Sequence, residues 1–318
     1  MNGKVAIIGA GIAGLAAAQS LGRCGIEVTL FEKSRGVGGR MSTRRVETGD
    51  GVLLAFDHGA QFFTARGQAF AAEVAGWHRS GSAAPWRGDR WVGTPAMTAP
   101  ARDMAQGLTI LHNHKINRAS LQDHAWQLGA AEASLPPYGF SALLLAVPAP
   151  QAEALLATAG LAWPLVNQVR YAPCWALMLT LAPDDALDLP ALWQGEDPVI
   201  AWIAGNRDKP GRSPLPASFV IHATANWSRD NLELSPERAR DALLAALARL
   251  VGAWPEQPLY VQAHRWRYAL VEQSAGQDCI WDPSRMIGAC GDWCIGGRVE
   301  AAFDSGRALG AKVAAVLS

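Results

Sequence analysis

The chain has 318 residues, half of them hydrophobic and 18% charged, with 28 basic residues against 28 acidic ones and a formal net charge of zero. At about 150 residues per domain that length suggests two domains. The hydrophobic share excludes a disordered chain, and arginines scattered without a basic stripe exclude a nucleic-acid surface. Cys24, Cys174, Cys279, Cys290 and Cys294 include no C-x-x-C pair and are expected to be reduced thiols of a cytoplasmic protein. No apolar run reaches the roughly 18 residues of a membrane span. The run 5–18 behind Lys4 is broken by glycines, so it reads as structure rather than as a signal peptide, and the chain is expected to start at Met1.

Lys4-Val5-Ala6-Ile7-Ile8 is apolar and rich in β-branched residues, and Gly9-Ala10-Gly11-Ile12-Ala13-Gly14 follows at once with an alanine-rich stretch to Leu21. The pattern predicts strand, tight turn, helix. Gly9 permits the turn, Gly11 lets the backbone approach a pyrophosphate, and Gly14 lets the helix pack on the strand. The amides of Ile12 and Ala13 then open a helix N-terminus, which favours negative charge. After Gly25, Glu27-Val28-Thr29-Leu30-Phe31 predicts a second strand ending on Glu32, about 20 residues past the glycines, where an acid accepts from a ribose hydroxyl. That acid disfavours a 2′-phosphate, so the dinucleotide is FAD or NAD rather than NADP.

Lys33-Ser34-Arg35-Gly36-Val37-Gly38-Gly39-Arg40-Met41 supplies a second glycine-rich loop, which a simple nicotinamide dehydrogenase does not need. Further on stands Asp57-His58-Gly59-Ala60-Gln61-Phe62-Phe63. Near the other end Gly291-Asp292 follows a predicted strand at 286–290, and Gly296-Gly297-Arg298-Val299-Glu300 leads into an alanine-rich helix over 299–317. In this order the motifs resemble the flavin-containing amine oxidase superfamily. The resemblance implies FAD, with Lys33 beside the ribose acid and Gly39, Arg40 and Met41 near the diphosphate and flavin. It implies that Asp57, His58, Gly59, Ala60 and Gln61 run along the isoalloxazine. It also puts Asp292, behind Gly291, on a ribityl hydroxyl, and aims the helix opened by Arg298, Val299 and Glu300 at the flavin pyrimidine edge. A helix N-terminus there stabilises the anionic charge of reduced flavin. Neither Cys290 nor Cys294 lies in the local sequence of an attachment cysteine, so the FAD is expected to be noncovalent.

Between these ends, Trp91-Val92-Gly93-Thr94-Pro95-Ala96-Met97 predicts a turn leading to a short helix that ends at Gln106. Strands are predicted at 109–112 and 125–128, and a buried strand at 142–147 returns the chain to the nucleotide domain. Runs at 174–181, 199–203, 218–224 and 259–266 predict an antiparallel sheet with a helix over 236–250 packed nearby. The expected fold class is α/β: a Rossmann-type FAD-binding domain of residues 1–70, 101–149 and 275–318, with an inserted α+β substrate domain of residues 71–100 and 150–274 built on an antiparallel sheet.

Two strings, 201–212 and 264–269, resemble bacterial renalase-like members of the superfamily. That resemblance implies hydride transfer from misreduced isomers of NADH or NADPH to flavin N5, with dioxygen as acceptor and peroxide as product. Trp202, His264 and Tyr268 are the candidates for aligning the dihydronicotinamide in the catalytic site. Phe62, Phe63 and Trp266 would line it, and Asn206, Lys209 and Arg212 would take amide or phosphate groups. His264, Trp266 and Tyr268 alternate on a predicted strand and so share one face. The five lysines are Lys4, Lys33, Lys115, Lys209 and Lys312, and none is placed convincingly as the lysine that holds a water beside flavin N5 in amine oxidases. A flavin-dependent amine oxidase and a flavin-binding scaffold without catalysis are the alternative readings. No metal site is expected, because His112-Asn113-His114 reads as a solvated turn. Neither nucleic acid nor a membrane is an expected partner.

Overall fold

The computed structural model describes residues 3–49, 51–131, 133–182, 189–253 and 258–318. The chain begins with β1 (Val5–Ile8), α1 (Ile12–Arg23) and β2 (Val28–Glu32), then a hairpin of β3 (Arg44–Glu47) and β4 (Leu53–Phe56), and the short β5 (Phe63–Thr64). Next come α2 (Gln68–Arg79), β6 (Ala83–Pro85), β7 (Arg90–Gly93), α3 (Ala99–Met104), β8 (Thr109–His112), β9 (Ile116–Gln122), β10 (Ala125–Ala130) and β11 (Ala142–Leu145). The second half contains α4 (Ala149–Thr158), α5 (Pro164–Asn167), β12 (Arg170–Thr180), β13 (Leu192–Gln194), β14 (Ile200–Gly205), β15 (Ser218–Ala223), α6 (Ala225–Asp230), α7 (Pro236–Val251) and β16 (Tyr260–Gln273). It closes with β17 (Ile280–Asp282), β18 (Ile287–Ala289), α8 (Asp292–Ile295) and α9 (Val299–Leu317).

The fold is α/β, as the sequence implies. Its first sheet runs β17-β18-β11-β1-β2-β8, parallel except at β17. The strands β1 and β11 are buried along their whole length because both faces are covered, which is why they read as unbroken apolar runs. Val5, Ile7, Leu30 and Leu144 face α1 and α9. Ala6, Ile8, Leu143 and Leu145 face α4 and the β9–β10 hairpin.

The helices α1 and α9 run parallel and very close. A Cβ on Gly306 would stand 2.1 Å from the Ala13 carbonyl oxygen, and one on Gly310 would stand 2.6 Å from Ser20 Cβ. Residue numbers rise together along the two helices, so both N-termini emerge at the same end, beyond the carboxyl ends of the parallel strands. Val299 precedes Gly306 by seven residues and Ile12 precedes Ala13 by one, so at 1.5 Å per residue α9 starts about 9 Å further out than α1.

The second sheet, β13-β14-β15-β12-β16, is antiparallel throughout. One face packs Leu177, Leu179, Ile203 and Ile221 on Leu243 and Leu247 of α7. The other face turns toward the nucleotide-binding half, where Met178 and Val220 meet Leu54 and Phe56 of β4. Trp91 and Val92, read from sequence as a turn, lie in β7, which pairs with β5 and β6. The helix α2 and the strand β9 are further elements the sequence analysis does not anticipate.

The close α1–α9 contact makes a contrasting pair of variants informative. Alanine in place of a helical glycine ordinarily gains about 1 kcal/mol. Gly22→Ala, whose Cβ would have no neighbour within 4 Å, is expected to show that gain in urea denaturation. Gly306→Ala is expected to lose about 1–3 kcal/mol through overpacking, and equal stabilities for the two variants would contradict the parallel packing.

Candidate active site

The turn between β1 and α1 is built around three glycines with different duties. Gly9 has φ +103°, and a Cβ there would stand 2.5 Å from the Ala146 carbonyl oxygen. A Cβ on Gly14 would stand 2.0 Å from the Gly9 carbonyl oxygen. Gly11 has no protein atom within 4 Å of its Cβ direction, and no side chain caps α1. The first two glycines are therefore required by the fold, whereas the third keeps open space in front of uncapped amides. That cradle fits a diphosphate.

Glu32 ends β2, 7% exposed, with one carboxylate oxygen accepting from the Ala10 amide at 2.9 Å and the other from the Ser34 amide at 2.8 Å. It clamps both glycine loops, and each oxygen keeps a lone pair for a ribose hydroxyl. The Gly38 amide donates to the Ala10 carbonyl at 2.9 Å, which brings the Gly38-Gly39 turn over Gly11. Lys33 is exposed and Met41 is buried in the core.

Arg40 grips Asp292 with two hydrogen bonds of 2.8 and 2.6 Å and also donates to the Ala269 carbonyl at 3.1 Å. Burial opposes the charge on Arg40, but Asp292 more than compensates and raises its pKa. The bidentate pair joins the motifs from opposite ends of the chain. Ser305 on α9 accepts from the Gly291 amide at 3.0 Å. Glu300, beside Val299 in the first turn of α9, accepts the Arg66 amide at 3.0 Å and the Gly67 amide, so it anchors the start of α2. The N-terminus of α9 behind Arg298 carries no side-chain cap.

The segment from Asp57 to Phe62 passes between the two sheets. Asp57 is completely enclosed: one carboxylate oxygen takes the Thr43 hydroxyl at 2.7 Å and the Met97 amide at 3.0 Å, and the other takes Arg212 at 2.6 Å and Lys209 at 3.4 Å. Burial alone would push its pKa up, but Lys209 and Arg212 outweigh burial and hold it well below the usual carboxylate range. Lys209 also donates to Gln61 Oε1 at 3.1 Å, and burial lowers its pKa against the opposing pull of Asp57. The Gln61 amide donates back to the Asp57 carbonyl, and the Ala60 amide donates to the Arg40 carbonyl at 2.8 Å.

A cross-strand row on the second sheet, Trp202-His222-Ala176-His264, faces this segment. Trp202 meets the Phe62 ring at 5.6 Å between centroids, His222 Nε2 meets the His58 carbonyl at 3.2 Å, and His264 meets the His58 ring at 4.8 Å. Trp266 donates to the His58 carbonyl at 2.9 Å, its ring tilted 38° to the His58 ring at 5.0 Å between centroids. A Cβ on Gly59 would stand 2.1 Å from the Arg40 carbonyl oxygen, so glycine is required between these walls. Burial, with the charges of His264, Arg44 and His222 adding to it, pushes His58 down to about 3. Burial likewise pushes His222 and His264 down to about 4, so all three imidazoles are neutral at pH 7.

The structure thus brings together Phe62, His58, Trp202, His264 and Trp266, and it separates others from them. Phe63 alternates to the far side of β5 and packs edge-on against Phe70 and Trp77 in the core. Tyr268 pairs with Tyr171 at 5.5 Å, past an irregularity in the β12–β16 register. The side chains of Lys209 and Arg212 are enclosed with Asp57 rather than open to a phosphate, and Asn206 donates to the Ala55 carbonyl. His222 and Arg90 are contacts that the sequence analysis missed. Among the described residues no group of histidine, cysteine and acid side chains could hold a metal. No helix of the described residues is long and apolar enough to cross a membrane, and all five cysteines are free.

A parallel sheet with a glycine turn and a buried acid ending its second strand, packed with an antiparallel sheet, is an architecture of dinucleotide-binding oxidoreductases. The model of the NAD(P)-binding Rossmann-like domain matches residues 7–74, and that of the flavin containing amine oxidoreductases matches residues 69–313. The chain belongs to the flavin containing amine oxidoreductase family, which implies a flavin cofactor. The curated relatives share only short stretches with this chain, a small part of their own length. A carotenoid phi-ring synthase of Streptomyces griseus is 44% identical over 59 residues, 19% of this chain and 11% of that protein. A 4,4'-diapophytoene desaturase of Staphylococcus aureus is 41% identical over 70 residues, 20% of this chain and 14% of that one. Among solved structures, an Exiguobacterium protein whose protoporphyrinogen oxidase assignment is provisional has a TM-score of 0.78 at 12% identity, over 99% of both chains. Cyclohexylamine oxidase from Brevibacterium oxydans has a TM-score of 0.68 at 13% identity, again over 99% of both. At such identities these structures share the fold.

The buried charges give a stability signature with two separate limbs. The histidines, neutral when folded, contribute stability in full above their ordinary pKa of about 6.5 and lose it as pH falls toward about 4. Asp57, with its depressed pKa, contributes above the ordinary carboxylate range and loses this only as pH falls well below it. Denaturation midpoints are therefore expected to fall from pH 6.5 to 4 in the parent and in His264→Gln, less steeply in the variant. Asp57→Asn is expected to cost about 3–5 kcal/mol at pH 7, because it leaves two buried cations uncompensated. A loss under 1 kcal/mol would show that the cluster is not buried as described.

Proposed function

We propose that the protein is an FAD-dependent oxidase of renalase-like type, taking hydride from misreduced dihydronicotinamide isomers of NAD(P)H and passing the electrons to dioxygen as peroxide. FAD would be held noncovalently, its diphosphate at the α1 amides and the Gly38-Gly39 turn, its ribose at Glu32, and its flavin end near Arg40, Asp292 and the start of α9. The flavin, when bound, supplies a two-electron acceptor for hydride. The observation that carries the substrate reading is the state of the titratable groups around His58: three neutral imidazoles, with the one carboxylate and the one lysine locked to each other. Among the described residues such a site offers flat surfaces and no unpaired anionic base. A dihydropyridine is already a hydride donor and asks only for alignment, which Phe62, Trp202, His264 and Trp266 are suited to provide by stacking and by excluding water.

The second reading is amine oxidation, which the family match favours. One experiment separates the two, and scaffold from both. Purified protein is expected to be yellow and to release its flavin to the supernatant on acid precipitation. Mixed with nonselectively reduced NAD or NADP without oxygen, it is expected to bleach within seconds, while authentic NADH and simple amines react at least tenfold more slowly. Readmitted oxygen should restore the colour and form peroxide. Faster bleaching by amines would transfer the assignment to the amine oxidase reading, and bleaching by neither class would leave the scaffold.

A further inference from the structure

Arg90 occupies an unusual position. The β6–β7 hairpin carries it inward, so that its guanidinium carbon lies 4.5 Å from the centroid of Phe62 and 5.4 Å from that of Trp202. Arg40, Arg212, Arg229 and Arg267 each hold an acid at 2.8 Å or less. Among the described residues, Arg90 has neither a carboxylate nor a carbonyl within hydrogen-bonding distance. Beside it Trp202 is 8% exposed, and its indole Nε1 is buried with no acceptor among the described residues. A buried indole N–H without a partner is costly, because it has given up its hydrogen bond to water. Two donor groups without an acceptor among the described residues therefore belong to one aromatic cluster.

The support beneath them is rigid. Trp86 Nε1 donates to the Asp208 carbonyl at 3.0 Å, and Arg212 donates from the Asp57 cluster to the Gly93 carbonyl. The hairpin is thus tied at both ends to the loop after β14, and Arg90 is held in place without an ion pair of its own. A guanidinium lying over aromatic rings keeps its N–H edge free, and that fork matches two oxygens of a carboxylate or phosphate. Stacking alone accounts for the ring contact, but not for the unpartnered N–H of the Trp202 ring that Arg90 covers.

We propose that Arg90 and the Trp202 indole N–H form a specificity site for an oxyanion, phosphate or carboxylate, carried by the flat substrate that stacks on Phe62. This rests on the proposed function, which places a planar hydride donor on these rings, and it adds a substrate class: a ring bearing an anionic arm. Sequence offers no signal for it, since Arg90 lies outside every motif.

The test is calorimetric titration of the oxidised holoprotein with paired probes that differ in the anion. Nicotinamide mononucleotide against nicotinamide riboside reads phosphate, and benzoate against benzamide reads carboxylate. The parent is expected to prefer the anionic member of at least one pair by about 10- to 100-fold, the range for a charge-assisted hydrogen bond. R90Q should abolish that preference while still binding the neutral member, and R90K should keep part of it. Retained preference in R90Q, or none in the parent, overturns the site. Both readings need no turnover, so an anion preference in a protein that dihydropyridines fail to bleach would overturn the proposed function and leave the Arg90 site standing.

Discussion

The enclosed ion cluster of Asp57, Lys209 and Arg212 is the constraint on which the rest of the site depends. Asp57 belongs to the nucleotide-binding half and the two cations to the loop after β14, so their attraction fixes how the second sheet sits over the first. Taking three charges out of water is costly, and their mutual attraction offsets that only when geometry is good and the remaining donors are satisfied. Here Thr43, the Met97 amide and Gln61 complete the set. An apolar contact in place of such a cluster would hold the sheets together without specifying one alignment. Because Gln61 bonds to both Lys209 and the Asp57 backbone, the cluster also sets the path of the intervening residues His58, Gly59 and Ala60.

That path explains why the row Trp202-His222-Ala176-His264 works as a unit. Its four members come from four different strands, and the His58 carbonyl is held from this sheet by His222 and by Trp266. A second tie, the Arg40–Asp292 pair, does for the cofactor end what Asp57 does for the sheet interface. The α1 and α9 N-termini, about 9 Å apart along their common direction, then leave two uncapped helix ends on the same side of the sheet.

How much of this was legible follows from the range over which each feature acts. Gly9, Gly11, Gly14 and Glu32 lie within one strand–turn–helix–strand unit, so spacing alone places them together, and the helix over 299–317 is bounded as its alanine-rich pattern predicts. The strands β12, β14 and β15 announce themselves by apolar runs. What spacing cannot show is pairing across the fold. Lys209 and Arg212 read as free cations because their partner stands about 150 residues away in sequence. Phe63 and Tyr268 sit beside true contacts, yet strand alternation turns one into the core and a register irregularity turns the other toward Tyr171. His222 and Arg90 acquire meaning only from neighbours on other strands.

The chemistry follows from the same burial that hides these partners. Around His58 the protein removes water from three imidazoles without placing an acid beside them, and desolvation keeps them neutral. An imidazole that is to take a proton in catalysis is better served by a pKa near the working pH, which a carboxylate partner would supply. Here the one nearby carboxylate is withdrawn into the ion cluster. Neutral rings and a locked acid make poor proton acceptors but good walls. A site of walls suits a reaction in which hydrogen leaves the substrate as hydride, with orientation as the protein's main contribution.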